Sequence, residues 1–237
     1  RVMRLSVKED GNWRSFRHRN YRILFPANTV SNIGSWAQRI AQDWLVLELT
    51  NNNGTYLGLV TAVQFAPVLF FSLHGGKLAD RFNKRKVLIL TNIVGGAASL
   101  GLGTLVITEH VQLWHVFALA AVLGISTAID APVRQSFTTE VVGQTDLPNA
   151  VSLNSANFNA GRLVGPAVSG GLIAAFGTGP SFIINGLSYF FVIAALLNLN
   201  EKAFFDLDRP KSDGNIREGI AYAKARPDIY VVMLMVF

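Results

Sequence analysis

The sequence predicts an all-α membrane protein, and three observations support that fold class: few charged residues, several apolar windows of membrane-spanning length, and basic residues confined to alternate connections. Charged residues make up 15% of the 237 positions, against about 25% in typical soluble domains. Hydrophobic residues make up 50%, which is incompatible with intrinsic disorder. Cysteine is absent, so a disulfide scaffold and a thiolate metal site are both excluded.

Six apolar windows account for the predicted transmembrane helices, since a bilayer core of about 30 Å requires roughly 20 helical residues. The windows are residues 23–49, 56–78, 87–108, 113–136, 150–176 and 182–199. A further apolar run occupies residues 229–237 and is too short to span. We therefore expect six transmembrane helices, followed by the start of a truncated seventh helix.

The connections between these windows differ in length and charge, and the fourth, residues 134–149, is predicted to be long and polar. Nineteen of the 21 Lys and Arg residues lie in residues 1–22 or in the second, fourth and sixth connections, and the three alternate connections carry none. Basic residues near span ends are retained on the cytoplasmic side. The N-terminus is therefore predicted to be cytoplasmic in a multi-pass protein of the plasma (inner) membrane, and the positive charge reflects orientation and not nucleic-acid binding.

The same pattern divides the chain into four segments. Residues 1–22 form a cytoplasmic N-terminal segment, and residues 23–199 form the transmembrane domain. Residues 200–228 are expected to be a cytoplasmic linker, in which residues 216–224 form a short amphipathic helix. Residues 229–237 begin the seventh helix.

The first span carries a polar stripe that cannot face lipid. Its members recur every three or four residues and are Asn28, Asn32, Ser35, Arg39, Gln42 and Asp43. Arg39 and Asp43 together cost about 6 kcal/mol on insertion, more than the apolar residues of the span return. The stripe therefore lines a protein interior or an aqueous cavity. Two interpretations stay open: a hydrogen-bonded seam between helices, or a surface that handles solute and ions.

Polar side chains on other spans extend this surface into a predicted substrate cavity. The complete predicted lining is Asn28, Asn32, Ser35, Gln64, Phe65, Asn154, Asn157 and Arg162. Asp43 is the candidate coupling residue, because its protonation would depend on whether its i, i+4 pair with Arg39 is intact. A second i, i+4 pair, Asp130 and Arg134, lies near the cytoplasmic end of the fourth span.

The connection after the second span resembles a known family signature. It reads Gly76-Lys77-Leu78-Ala79-Asp80-Arg81-Phe82-Asn83-Lys84-Arg85-Lys86, which is similar to the G-x-x-x-D-R-x-G-R-[RK] sequence between the second and third helices of the major facilitator superfamily. Asn83 stands where that family usually has Gly, and Asn tolerates positive φ better than most residues. The resemblance implies a conformational gate formed by Gly76, Asp80, Arg81, Lys84 and Arg85.

A second resemblance lies in the fifth span. Gly161, Gly165, Pro166 and Gly170 resemble the G-x-x-x-G-P-x-x-G-G element of the drug-proton antiporters of that superfamily, with Ser169 in place of the first paired Gly. Wider stretches resemble the branch that contains the enterobactin exporter and macrolide-efflux proteins. The resemblance implies a twelve-helix fold in two halves, of which this chain provides the N-terminal half as two inverted three-helix repeats.

Function is predicted from these features together. The resemblance implies a secondary active transporter that works by alternating access, and its antiporter branch favours proton-coupled export of hydrophobic or amphipathic small molecules, such as drugs or siderophore-like compounds. The expected partners are the lipid bilayer, the small-molecule substrate, protons and the missing C-terminal half. Neither a cofactor, a metal ion nor a nucleic acid is expected.

Alternatives to export stay open at this stage. One is a major facilitator importer of a small polar solute, and the other is a membrane half-protein that acts only as an assembly partner. An enzyme is disfavoured, because the sequence contains no H-E-x-x-H, G-x-S-x-G or P-loop pattern.

Overall fold

The computed structural model describes residues 11–205, and for residues 71–81 it describes the backbone alone. This part of the chain is helical apart from turns and short connections. Its five α-helices are α1 (Arg19–Leu49), α2 (Gly54–Arg81), α3 (Lys84–Ile107), α4 (Leu113–Phe176) and α5 (Gly179–Leu197). Two 3-10 turns flank them, Arg14–Arg17 and Glu201–Ala203. The predicted linker helix 216–224 and the predicted seventh helix lie outside the described residues.

Helix α4 consists of two arms, residues 113–142 and 144–176, which meet at Gly143. Gly143 has φ 73° and ψ 169°, a backbone conformation that is essentially restricted to glycine. Contacts with α1 show that the chain reverses there: in the first arm Arg134 contacts Asn28, and in the second arm Gly161 and then Gly165 lie against successive turns of α1. The long polar connection predicted over 134–149 is therefore almost entirely helical, with a one-residue break.

Connections at the two ends of the bundle use different local chemistry. At one end, Asn51 and Asn52 adopt positive φ of 52° and 62°, and Glu109 adopts 59°. At the other end, Asn83 caps α3 by accepting a hydrogen bond from the Lys86 backbone N–H at 3.1 Å. Asn83 has φ −64°, so it serves in this turn as a helix cap, and positive φ is not needed there.

Two apolar clusters hold the helices together. The first contains Tyr21, Leu24, Leu88, Val133, Phe137, Val141, Val142, Ala150, Val192, Ala195, Leu196 and Leu199. The second contains Ala41, Leu45, Val46, Val60, Leu102, Val116, Leu119, Ala120, Leu123 and Phe182. We call the bundle end next to the first cluster, which carries the Arg14–Arg17 turn, Gly143 and the Glu201–Ala203 turn, the N-terminal face. Helices α1, α3, α4 and α5 contact both clusters, and their polar middle sections lie between them.

The described helices have the character of a membrane protein. Three of them, α3, α4 and α5, are long and apolar enough to cross a bilayer, and α2 contributes a shorter apolar stretch, Gly54–Phe70. Helix α1 has 31 residues but is the least hydrophobic of the five because of its polar stripe. Large apolar side chains point outward, as at Phe70 (74% exposed) and Leu163 (78%). The all-α fold is confirmed, and the count of six spans stays a prediction.

Candidate functional site

A cavity of about 380 Å³ lies in the polar middle section of the bundle. It is lined by α1, α3, both arms of α4 and α5. The lining residues are Asn28, Ser31, Asn32, Ser35, Thr91, Asn92, Leu123, Ser126, Thr127, Asp130, Ala131, Arg134, Thr138, Asn154, Asn157, Phe158 and Tyr189. Five of the eight predicted cavity residues, Asn28, Asn32, Ser35, Asn154 and Asn157, are among them.

An ion pair on the first arm of α4 is the main charged feature of this cavity. Arg134 donates to the two carboxylate oxygens of Asp130, from Nε at 2.7 Å and from Nη2 at 2.9 Å. Its remaining Nη1 donates to Asn28 Oδ1 at 2.8 Å. A bidentate guanidinium–carboxylate pair is both strong and geometrically specific. The sequence placed Asp130 and Arg134 near a span end, and the structure places them in the cavity wall.

Further polar groups surround Asp130 from neighbouring helices. Thr91 Oγ1 donates to Asp130 Oδ1 at 2.8 Å, and Asn92 Nδ2 approaches the same oxygen at 3.4 Å. Tyr189 on α5 also lines the cavity and interacts with Ser35 and with the charged pair. Sequence reasoning missed Thr91, Asn92 and Tyr189, because the polar residues of their windows, 87–108 and 182–199, carry no charge. Asn92 in mid-span was the available signal.

One buried polar atom in the cavity wall has no partner. Asn157 is 7% exposed, and its Oδ1 makes no hydrogen bond within the described residues. Nearby, Asn154 accepts a hydrogen bond from the Tyr21 hydroxyl at 3.1 Å. A buried acceptor without a donor costs roughly 1–3 kcal/mol. The Asn157 carbonyl is therefore available to a hydrogen-bond donor that enters the cavity.

Arg39 and Asp43 do not form the ion pair that their spacing predicted. The Arg39 guanidinium lies over the Phe65 ring at 4.8 Å and near the Trp36 ring at 5.4 Å, and no ion pair joins it to Asp43 in the described part of the chain. Cation–aromatic contacts hold the guanidinium instead. Both residues lie outside the cavity, and their coupling role stays a prediction.

The other predicted lining residues also lie outside the cavity. Gln64 accepts a hydrogen bond from Gln42 Nε2 at 3.1 Å, and the Phe65 ring is covered by the Arg39 guanidinium. Arg162 extends from the second arm of α4 with its guanidinium 5.9 Å from the Trp36 ring. The Gln42–Gln64 bond joins α1 to α2, so this part of the polar stripe forms a seam between helices.

The antiporter-like element serves helix packing in this structure. A Cβ at Gly161 would meet Trp36 Cδ1 at 3.2 Å, and a Cβ at Gly165 would overlap Trp36 Cβ and the α1 backbone. These two glycines let the second arm of α4 approach α1 closely. Gly170 has open space around it, and Pro166 lies inside the helix. The role of the element in antiport stays a prediction.

The structure describes the side chains of two members of the predicted gate, and both bind neighbouring helices. Lys84 is buried and pairs with Glu140 at 2.6 Å. Arg85 donates to the Leu196 and Leu197 carbonyls at 2.7 and 2.9 Å, which caps the C-terminus of α5, and it also pairs with Glu201. The structure describes only the backbone at Gly76, Asp80 and Arg81, so the gate stays a prediction.

At the N-terminal face, Asp146 pairs with Arg14, Arg17 and His18, and we call these four residues the latch. The Asp146 carboxylate contacts His18 Nε2 at 2.6 Å, Arg17 Nε at 2.8 Å and Arg14 Nε at 3.5 Å, and its side chain is 1% exposed. Burial alone would raise the pKa of Asp146, but the hydrogen bond to His18 and the charge of Arg17 outweigh it and hold that pKa below its usual range. The latch ties the first 3-10 turn to the start of the second arm of α4.

Groups of side chains suited to hold a metal ion are absent from residues 11–205 as the structure describes them. The cavity can instead bind a solute through amide, hydroxyl and guanidinium groups, with the Asp130–Arg134 pair as its only charges among the described lining residues.

The sequence was also compared with known proteins. A family model of the major facilitator type, described as a transmembrane secretion effector, matches residues 10–237. The chain is 26% identical over 182 residues to the staphyloferrin A transporter of Staphylococcus aureus, covering 76% of this chain and 46% of the relative.

Two further relatives are named for export. The multidrug efflux pump Tap of Mycolicibacterium fortuitum is 28% identical, covering 65% of this chain and 39% of the relative. The enterobactin exporter EntS of Shigella flexneri is 21% identical, covering 78% of this chain and 45% of the relative. The chain thus spans about half the length of these relatives, all of which are transporters and not enzymes.

Proposed function

Because the chain belongs to the major facilitator family of transmembrane secretion effectors, we propose that it forms the N-terminal half of a proton-coupled exporter of hydrophobic or amphipathic small molecules. A C-terminal half of similar size completes the central site, and the two halves rock against each other during transport. Relatives named as an efflux pump and as an exporter support the outward direction. Six spans in the inner membrane, with a cytoplasmic N-terminus, are part of this proposal.

The Asp130–Arg134 pair in the polar cavity is the observation that carries the proposal. Charged side chains within transmembrane segments are costly, and they mark ion or solute pathways. This pair is held by Asn28 and Thr91 from two other helices, so a movement of any of these helices changes the balance of its hydrogen bonds.

We propose that proton coupling depends on whether Arg134 stays paired with Asp130. While Arg134 donates to both carboxylate oxygens, Asp130 is stabilised as an anion. If a solute or a helix movement draws Arg134 away, an unpaired carboxylate at membrane depth is costly unless it takes up a proton. Proton uptake by Asp130 and rearrangement of Arg134 are then one event, which links proton entry to the conformational cycle.

The predicted gate acts at the N-terminal face. Lys84 and Arg85 fix the start of α3 to α4 and α5 through their ion pairs and carbonyl contacts. On this fixed base, Asp80 is proposed to hold one conformation closed, as the family signature implies. Replacement of Asp80 by Ala then slows cycling more than solute binding, and equal turnover would count against the gate.

Coupling is tested with the product of the full coding sequence in everted membrane vesicles that carry an acidic interior. Proton release from the vesicles is measured after addition of ethidium, erythromycin or 2-naphthoate. We expect at least one of these probes to release protons from wild-type vesicles, and we expect Asp130→Asn to abolish release while the protein remains folded and inserted. Asp43→Asn is the comparison variant, since it removes the carboxylate that the sequence predicted for coupling and that lies outside the cavity.

Each outcome separates the proposals. Loss of proton release in Asp43→Asn with normal release in Asp130→Asn would return the coupling role to Asp43. A transport rate that is the same with and without an imposed pH gradient would refute proton coupling. Probe accumulation in right-side-out vesicles would indicate an importer, and absence of transport by the full-length protein would favour an assembly partner.

A further inference from the structure

Two arginines on different helices converge on one aromatic ring outside the cavity. Arg39 of α1 lies 5.4 Å from the Trp36 ring centroid, and Arg162 of α4 lies 5.9 Å from it. Arg39 also lies over Phe65 at 4.8 Å. We call the surface formed by Trp36, Arg39, Phe65, Phe158 and Arg162 the arginine patch.

The guanidinium groups of this patch have unused donors. Neither arginine makes a hydrogen bond or an ion pair within the described residues, and their contacts there are with aromatic faces. Asp43 is near enough to interact electrostatically with Arg39, which leaves the patch with a net positive charge. A guanidinium carries five N–H donors, so most of the donors here are free to bind a ligand.

The patch cannot be a lipid-facing surface. Arginine at membrane depth is costly and faces a protein interior or a water-filled path. Phe158 contacts Trp36 edge to face at 5.5 Å, and it also lines the 380 Å³ cavity. The patch and the cavity are therefore continuous, and a solute can contact both.

Aromatic surface accompanies the charge. Phe65 is 44% exposed and Phe158 is 49% exposed. The Phe65 ring lies under the Arg39 guanidinium, and the Phe158 ring contacts Trp36, the ring that both arginines approach. Planar groups stack on aromatic rings and on guanidinium planes, while carboxylates match the guanidinium fork. The combination suits a ligand that joins an anionic group to an aromatic ring.

We infer that the arginine patch is a subsite for aromatic anions, in which Arg39 and Arg162 bind the anionic group and Phe65 and Phe158 contact the ring. This inference rests on the proposed transport function and narrows its substrate class. A permanently cationic amphipath is repelled at this position, and a neutral one gains only the ring contacts.

Binding of two matched probes tests the subsite. The probes are 2-naphthoate and 2-naphthamide, which share a ring system and differ in charge. The full-length protein is reconstituted in phosphatidylcholine nanodiscs, and both affinities are measured by equilibrium dialysis. We expect naphthoate to bind about tenfold more tightly than naphthamide, as expected when one charge-assisted contact is gained.

Variants locate the preference. Arg39→Gln and Arg162→Gln should each lower the naphthoate-to-naphthamide ratio by about threefold or more, and the double variant should bring it close to one. Arg162→Lys keeps the charge and should retain part of the preference. Arg19→Gln is the matched control, because Arg19 is exposed at the start of α1, and it should leave the ratio unchanged. Thermal unfolding confirms that each variant is folded.

Three results would overturn the inference: equal affinities for the two probes in the wild type, a ratio that survives the double substitution, or a preference that disappears in nanodiscs containing phosphatidylglycerol, which would assign the patch to an anionic lipid. The assay requires no transport. A failure of proton coupling therefore leaves this ratio intact, and an equal ratio leaves proton coupling intact.

Discussion

Arg134 lies one helical turn from Asp130 and donates to both of its carboxylate oxygens, at 2.7 and 2.9 Å. Its third nitrogen, Nη1, donates to Asn28 on α1. One guanidinium therefore joins a carboxylate on its own helix to an amide on another. Any movement of α1 against α4 must stretch one of these bonds. The pair thus ties α1 to the first arm of α4 in the wall of the cavity.

Replacement of Arg134 by Lys should separate charge from geometry. Lysine keeps the positive charge but cannot bind both carboxylate oxygens and Asn28 at once. We expect proton-linked transport to fall about 10–100-fold, which corresponds to the loss of one hydrogen bond to a charged group. Arg19→Lys, at an exposed position without a partner in the described structure, should transport normally. Normal transport by Arg134→Lys would show that the bidentate geometry is dispensable.

Gly165 should tolerate no side chain, because the second arm of α4 rests on α1 at this point. A Cβ would lie 3.0 Å from both the Ala37 amide nitrogen and the Ile33 carbonyl oxygen and would overlap Trp36. We expect Gly165→Ala to lower the free energy of unfolding by about 1–3 kcal/mol through overpacking. Gly170→Ala on the same helix is the matched control, since nothing lies within 4 Å of its Cβ position. Equal stability of the two variants in detergent would contradict this account.

Gly143 should be restricted by its backbone. Its φ of 73° and ψ of 169° cost a residue with a side chain about 1–3 kcal/mol, and a Cβ would also meet the Phe205 ring at 3.1 Å. We expect Gly143→Ala to be destabilised by that amount in thermal unfolding. The double variant Gly143→Ala/Phe205→Leu tests the cause: full rescue would show that the ring contact, and not the backbone, sets the cost.

The helices could be predicted because lipid imposes a simple rule on sequence. The predicted window 23–49 matches α1 (Arg19–Leu49), and 87–108 matches α3 (Lys84–Ile107), since both depend on length and hydropathy alone. The connection predicted over 134–149 was wrong in detail, because its polar residues are helical and only Gly143 breaks the helix. Glycine in such a run signals a turn or a packing contact equally well.

The cavity was predicted in part. Helical periodicity identified Asn28, Asn32 and Ser35, since the side chains of one face follow from spacing. Periodicity cannot say which neighbouring helix that face meets, and so it could not bring Thr91 and Tyr189 to Asp130. For the same reason, the i, i+4 spacing of Arg39 and Asp43 predicted a pair, while Phe65 on another helix holds the arginine instead.

The membrane topology should be measurable directly, because residues 1–237 contain no cysteine. Single cysteines at Thr55 and His110 are expected to react with a membrane-impermeant maleimide in intact cells, whereas those at Lys86 and Lys202 should react only after permeabilisation. All four positions are exposed. A cysteine at Thr145, two residues after Gly143, tests whether both arms of α4 span the membrane: it should react like the cysteine at Lys86. Labelling of Thr55 and Lys86 from the same side would contradict the proposed topology.

The latch at Asp146 should make stability depend on pH. The pKa of Asp146 is lower in the folded protein than in the unfolded chain, so its contribution is complete above the unfolded value of about 3.9 and is lost as pH falls through the folded value. Asp146→Asn removes the carboxylate that Arg14, Arg17 and His18 surround. We expect this variant to be less stable than the wild type by about 1–3 kcal/mol at pH 7.

The pH profile separates the ionic latch from simple packing. The stability difference between wild type and Asp146→Asn should be fully present at about pH 5 and should shrink below about pH 4, where the unfolded chain binds a proton that the folded Asp146 takes up only at lower pH. Glu109→Gln removes an exposed carboxylate at the opposite end of the bundle and should follow the wild-type curve. Unfolding in detergent, measured at each pH, checks both. A difference that stays constant down to pH 3 would mean that Asp146 acts through shape and hydrogen bonding, without its charge.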